Sequence, residues 1–143
     1  LNGTQISTNL KVVKLEYCSK LENIDALYAN RSTLQGLYID SCKNIRDYDV
    51  LSEMKQLTRL TIFGTGSIPT ISFVEQLPNL KTLTIGVDIE DGDLSCCDRL
   101  EHVNLYPNRR HFNRKDKDFH KTPHSEVIRG DEGIDSWRQH VLR

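Results

Sequence analysis

Leu34-Gln35-Gly36-Leu37-Tyr38-Ile39 is one of five stretches that share a single spacing of large apolar residues. The others are Leu10 with Val13 and Leu15, Leu57 with Leu60 and Ile62, Leu80 with Leu83 and Ile85, and Leu100 with Val103 and Leu105. Their leading residues stand 24, 23, 23 and 20 positions apart. The alternation that closes each L-x-x-L-x-L stretch predicts a half-buried β-strand. Its recurrence predicts a stack of like units. Counting the leading residue as one, position twelve holds Leu21, Ile45 and Ile68, position fifteen Ile24, Tyr48 and Ile71, and position eighteen Leu27, Leu51 and Val74. Steps of three after a strand suit one side of a helix or a short 3₁₀ turn, so each unit reads as a strand, a tight corner and a helical return. Position nine carries Cys18, Cys42, Thr65, Asp88 and Asn108, small side chains expected to turn inward at the corner, where backbone groups lack ladder partners.

One such unit cannot bury its own apolar edge, because Leu37 and Ile39 of a lone strand would face water. Stacking the units as a parallel sheet with strands ~4.8 Å apart removes that exposure and gives a short curved solenoid. The L-x-x-L-x-L motif, its spacing and the corners Cys18-x-x-Leu21 and Cys42-x-x-Ile45 resemble the leucine-rich repeat superfamily, in its cysteine-containing, internalin-like variety. The resemblance covers residues 10–108. It implies an α/β fold: a short right-handed horseshoe with a parallel sheet on the concave face and short helical or 3₁₀ returns on the convex face. Members of that family mostly bind proteins, so the resemblance also implies a protein-binding role.

The fourth unit departs from the pattern. It is three residues shorter, carries the acidic run Asp88-Ile89-Glu90-Asp91-Gly92-Asp93, and has Asp91 at position twelve, so a shallower return is expected, with Leu94 and Cys97 pointing inward. Pro69 and Pro78 fall between the proposed strands, in keeping with the register. The residues before Leu10 are too few for a cap, which leads us to expect further repeats or another domain upstream. Downstream, Ile134, Trp137 and Val141 recur at helical spacing and predict an amphipathic C-terminal cap helix. The expected division is thus a solenoid over residues 1–108, followed by a basic linking segment and cap helix over 109–143.

With 40 Leu, Ile, Val and Phe in 143 residues, the chain has the material for a packed core. Its 19 Lys and Arg nearly balance 20 Asp and Glu, and no apolar run approaches the ~20 residues of a spanning helix, so membrane insertion is not expected. The charge is segregated: Arg109 to His124 contains six Lys and Arg against two Asp, with Phe112 and Phe119 interleaved. Such a stripe could contact phosphates, but a linking loop pinned by its two rings is the simpler reading, so nucleic acid is not the expected partner. No phosphate loop, G-x-S-x-G, H-E-x-x-H or C-x-x-C is present, and a small-molecule site is not expected either. Gly64-Thr65-Gly66 reads as a corner. His111, His120 and His124 do not suggest a metal site, because Pro123 interrupts any helix, and the acidic run lacks the spacing of a calcium loop. No cofactor is implied.

Cys18 and Cys42 share a column one repeat apart, close enough in principle for a disulfide; the family resemblance implies two buried thiols instead. A bond between the adjacent Cys96 and Cys97 would be strained. Reduced cysteines favour a cytoplasmic location, and the sequons at Asn2 and Asn30 are too few to overturn that.

Positions three, five and seven alternate away from the buried residues and face outward, on the concave side. Among them Tyr38, Phe63 and Tyr106 are large rings without a core role, flanked by Asp40 and Arg59, and these five are the expected partner-binding residues. The expected function is a non-catalytic protein–protein interaction module. The alternative is a structural scaffold, or a substrate-recognition segment of a larger protein whose functional domain lies outside these residues.

Overall fold

In the computed structural model, which describes residues 9–121, five strands form one parallel sheet in the order β1-β2-β3-β4-β5. They are β1 (Val12–Glu16), β2 (Gly36–Asp40), β3 (Arg59–Ile68), β4 (Thr82–Ile89) and β5 (His102–Leu105). Each begins at the third position of a repeated stretch. The register is unslipped: Val13, Leu37, Leu60, Leu83 and Val103 are mutual partners in turn, as are Leu15, Ile39, Ile62, Ile85 and Leu105. All ten are buried. Since successive side chains point to opposite faces of a strand, this register puts every repeated apolar residue on one side.

The returns are 3₁₀ turns: Asp25–Asn30, Asp49–Glu53, Ser72–Gln76 and Ser95–Arg99. Each opens in the same way. Asn23, Asp47, Thr70 and Asp93 accept, through a side-chain oxygen, the backbone N–H two residues on, at 3.1, 2.9, 3.1 and 3.0 Å. These Asx and Thr turns bend the chain, and the N–H two residues further on closes on the carbonyl three residues before it, Leu27 on Ile24, Leu51 on Tyr48, Val74 on Ile71 and Cys97 on Leu94. The columns at positions fifteen and eighteen are buried throughout, from Ile24 and Leu27 to Leu94 and Cys97. This strand-and-turn succession is compatible with an α/β solenoid. No helix among the described residues is long and apolar enough to cross a membrane.

Three features differ from expectation. First, Gly64-Thr65-Gly66 is not a corner. β3 runs through it to Ile68, and the register with β4 slips so that Phe63 faces Gly86 while Ser67 faces Asp88. The result is a bulge with two extra residues on β3, and Gly64 sits at φ 144, a backbone state costly for other residues. Second, Thr65 in that bulge is exposed rather than turned inward, and Asp88 is half-buried, so position nine points inward only at Cys42 and partly at Cys18. Third, the fourth unit does not leave its twelfth column empty. Ile89, in register with Ile68 and fully buried, takes the place that Asp91 vacates.

The acidic run is engaged within the fold. Glu90 bonds Ser67 and Arg46, and Asp88 lies 3.1 Å from His111 Nε2. Asp93 accepts from the Ser95 hydroxyl and amide and from Asn113, and these bonds hold its carboxyl at about 2, below the ordinary ~4 of an aspartate. A carboxyl whose folded value is lowered contributes stability in full above the unfolded value and loses it as pH falls through the folded one. Wild-type chain is therefore expected to lose thermal stability from about pH 4 toward pH 2. Asp93→Ala, less stable at neutral pH, should converge on wild type over that window, as followed by circular dichroism melts.

Residues 106–121 fold back over the last units. Phe112 is buried and Phe119 half-buried. Asn113 Oδ1 accepts the Leu94 N–H at 2.8 Å, Asp116 Oδ1 the Leu105 N–H at 2.8 Å, and the His120 carbonyl the Val103 N–H at 2.9 Å. Arg114 makes a forked pair with Asp98, Lys115 Nζ donates to the Arg109 carbonyl, and Lys121 pairs with Asp116. Half of the basic residues in this stretch thus hold the fold together. The cap helix expected around Trp137 lies outside the described residues.

Candidate functional site

The sheet face opposite the core carries three rows, set by the register. Position three gives Val12, Gly36, Arg59, Thr82 and His102; position five gives Lys14, Tyr38, Thr61, Thr84 and Asn104. Position seven gives Glu16, Asp40, Phe63 and Gly86, with Tyr106 following where β5 ends. All-parallel sheets ordinarily have both faces covered. Here, among the described residues, the strand-to-strand returns pack on one face only.

The rings expected at the site form a continuous row. Tyr38 and Phe63 meet edge-on with centroids 6.3 Å apart, and Phe63 and Tyr106 are tilted, also at 6.3 Å. Both separations fall in the range of favourable aromatic pairs. Phe63 on β3 reaches Tyr106 beyond β5 because the residue between them is Gly86: a Cβ there would lie 2.0 Å from Phe63 Cδ1. The small residue makes a saddle, and the ring fills it. Gly86→Val is accordingly expected to expel Phe63 from the row while the core face stays packed. Loss of the contacts between Phe63 and Tyr106 ring protons in NMR, with an unchanged far-ultraviolet spectrum, would show this.

At the β1 end the row closes on a buried cation. Lys14 is only 3% exposed; its Nζ lies 2.5 Å from Glu16 Oε1 and 4.7 Å from the Tyr38 ring centroid. A buried ammonium is tolerated when a carboxylate and a ring face replace its water. The periodic pattern marks position five as outward and so suggests an exposed lysine. Tyr38 opposite it, a cation–π partner one strand away, was the available signal for its burial.

The five expected residues all fall on this outer face. Tyr38, Phe63 and Tyr106 form the row, and Asp40, in register with Phe63, stands at its side with Oδ1 accepting the Ser41 hydroxyl at 2.8 Å. Arg59 is apart. It is four residues from Phe63 along β3, ~13 Å at strand rise, in register with Gly36 and Thr82. Tyr106 is 59% exposed, while Tyr38 and Phe63 are half-buried. In line with Tyr38 across the sheet run Thr61, Thr84 and Asn104, the last donating to Thr84 Oγ1 at 3.2 Å. The face therefore offers rings beside a strip of hydroxyl and amide groups.

Elsewhere, a pit under the β3 bulge, lined by Ile39, Cys42, Tyr48, Phe63 and Val87, has room for about one water. Among the described residues no three His, Cys, Asp or Glu are grouped to hold a metal ion. Asn30, the acceptor residue of one sequon, is fully buried and accepts the Leu10 N–H at 2.9 Å, which leaves a glycan no path to it in the folded chain. The four cysteines are free thiols. No family model matches the chain, and searches of curated proteins and of solved structures likewise return no match.

Proposed function

We propose that the chain is a segment of a leucine-rich repeat solenoid, its sheet lining the concave side of a short right-handed horseshoe, and that it is a non-catalytic module binding a protein partner on that face. Tyr38, Asp40, Phe63 and Tyr106 form the centre of the contact and Arg59 its rim. The observation that carries this reading is the ring row itself. Three adjoining rings on a parallel-sheet face that no strand-to-strand return covers among the described residues, one seated over a glycine, provide a preformed apolar surface of the kind that supplies most binding energy at protein interfaces. The neighbouring Thr and Asn groups supply a polar rim. In this reading the four free thiols belong to a reducing, cytoplasmic setting.

The salt response of partner capture tests the proposal. A contact centred on rings should persist as ionic strength rises well beyond physiological levels, where exposed charge pairs are screened. Capture that collapses steeply with salt would place the contact on exposed charges, such as Arg109, Arg110 and Lys117, rather than on the rings, and would contradict the proposal.

A further inference from the structure

We infer that Cys18 and Cys42 form a thiol pair that a small-molecule disulfide oxidises to an internal Cys18–Cys42 bond, stapling the first two units of the sheet. The inference rests on stacked corners and does not depend on what the outer face binds. Each cysteine stands two residues beyond a registered pair, Glu16 with Asp40. Both corners use the same backbone: Tyr17 and Ser41 are left-handed, at φ 55 and 57, and each donates its N–H to the next strand, to Asp40 and to Phe63. Like corners in register put Cys18 over Cys42 at about one strand spacing, ~4.8 Å, inside the Cα separations that disulfides span.

The sulfur positions agree. Cys18 Sγ donates to the Glu16 carbonyl and Cys42 Sγ to the Asp40 carbonyl, both at 3.4 Å, and Cys42 Sγ also leans toward β1, 3.8 Å from the Leu15 carbonyl. The Cys42 sulfur thus sits toward the strand that leads into Cys18. The two thiols differ in access: Cys18 is half-buried and Cys42 is buried. Burial pushes the Cys42 thiol up to about 11, so it is the poorer first nucleophile. The step therefore begins at Cys18. Its thiolate attacks one sulfur of oxidised glutathione, forming a mixed disulfide and releasing one glutathione. Cys42, losing its proton to solvent, then attacks Cys18 Sγ and releases the second. Two protein thiols give up two electrons and two protons, and one glutathione disulfide becomes two glutathione thiols.

Trypsin separates the partners. Cleavage places Cys18 in residues 15–20, Cys42 in residues 32–43, and Cys96 with Cys97 in residues 82–99. The whole chain, kept native in buffered oxidised glutathione, alkylated and digested without reductant, should yield the linked peptides 15–20 and 32–43, and the intact protein should be lighter by about 2 Da. In Cys18→Ser the linked species should vanish and Cys42 should stay free of glutathione under the same conditions. Glutathione retained on Cys18 with Cys42 still reduced, linkage found only in denaturant, or oxidation confined to residues 82–99 would overturn the inference. So would glutathionylation of Cys42 in Cys18→Ser at the wild-type rate of oxidation.

Discussion

Leu60→Ala is expected to cost ~2–5 kcal/mol of stability, the range for truncating a buried leucine, while Thr61→Ala, one residue along the same strand, stays within ~0.5 kcal/mol. Leu60 is fully buried near the start of β3, the middle strand of the sheet, between Leu37 of β2 and Leu83 of β4. Removing its isobutyl group leaves a void bounded by two strands whose positions are fixed by further neighbours, so little collapse can fill it. Thr61 faces the other way, beside Tyr38 and Thr84. A one-residue slip would exchange the two effects, so denaturant unfolding of the pair tests the register as well as the core. Equal losses for both variants would contradict the assignment of faces.

Phe112→Ala is expected to act at the other end of the stack, with a loss of ~3–5 kcal/mol for a buried ring. Phe112 is 4% exposed and meets the His111 ring edge-on at 5.1 Å, and it anchors the stretch that covers β5. In a stack whose units touch only their neighbours, damage to a cap is felt first by the unit beneath it. The Val103 and Leu105 amides, bonded to the His120 carbonyl and to Asp116 Oδ1, should therefore lose hydrogen-exchange protection before the amides of β2 and β3. Uniform loss along the sheet would contradict an end-cap role.

The strands and core columns were legible in the sequence because burial imposes a strict period. Leu37 and Ile39 alternate, Ile24 and Leu27 follow at steps of three, and no other register buries them all. The ring row was legible by subtraction, since Tyr38, Phe63 and Tyr106 fall on outward positions. What escaped was governed by single contacts rather than periods. Gly64 and Gly66 read equally well as a corner or a bulge, and the pairing of Ser67 with Asp88 decides between them. Ile89 replaces Asp91 in the core only because that bulge shifts the register. The cap over β5 is built from one-off bonds by Asn113 and Asp116 to backbone amides, which leave no periodic trace. One missed signal was periodic after all: Asn23, Asp47, Thr70 and Asp93 stand at equivalent positions and open every return.

Whether a protein partner docks on the ring row is read out by paired capture from lysate of the source cells. Wild-type chain is compared with a Tyr38→Glu, Phe63→Glu double variant shown by circular dichroism to be folded. A protein should be retained by wild type and lost by the folded variant, because two charges placed in the row would have to be desolvated on contact. The same protein held equally by both would move the contact away from this face and contradict the claim.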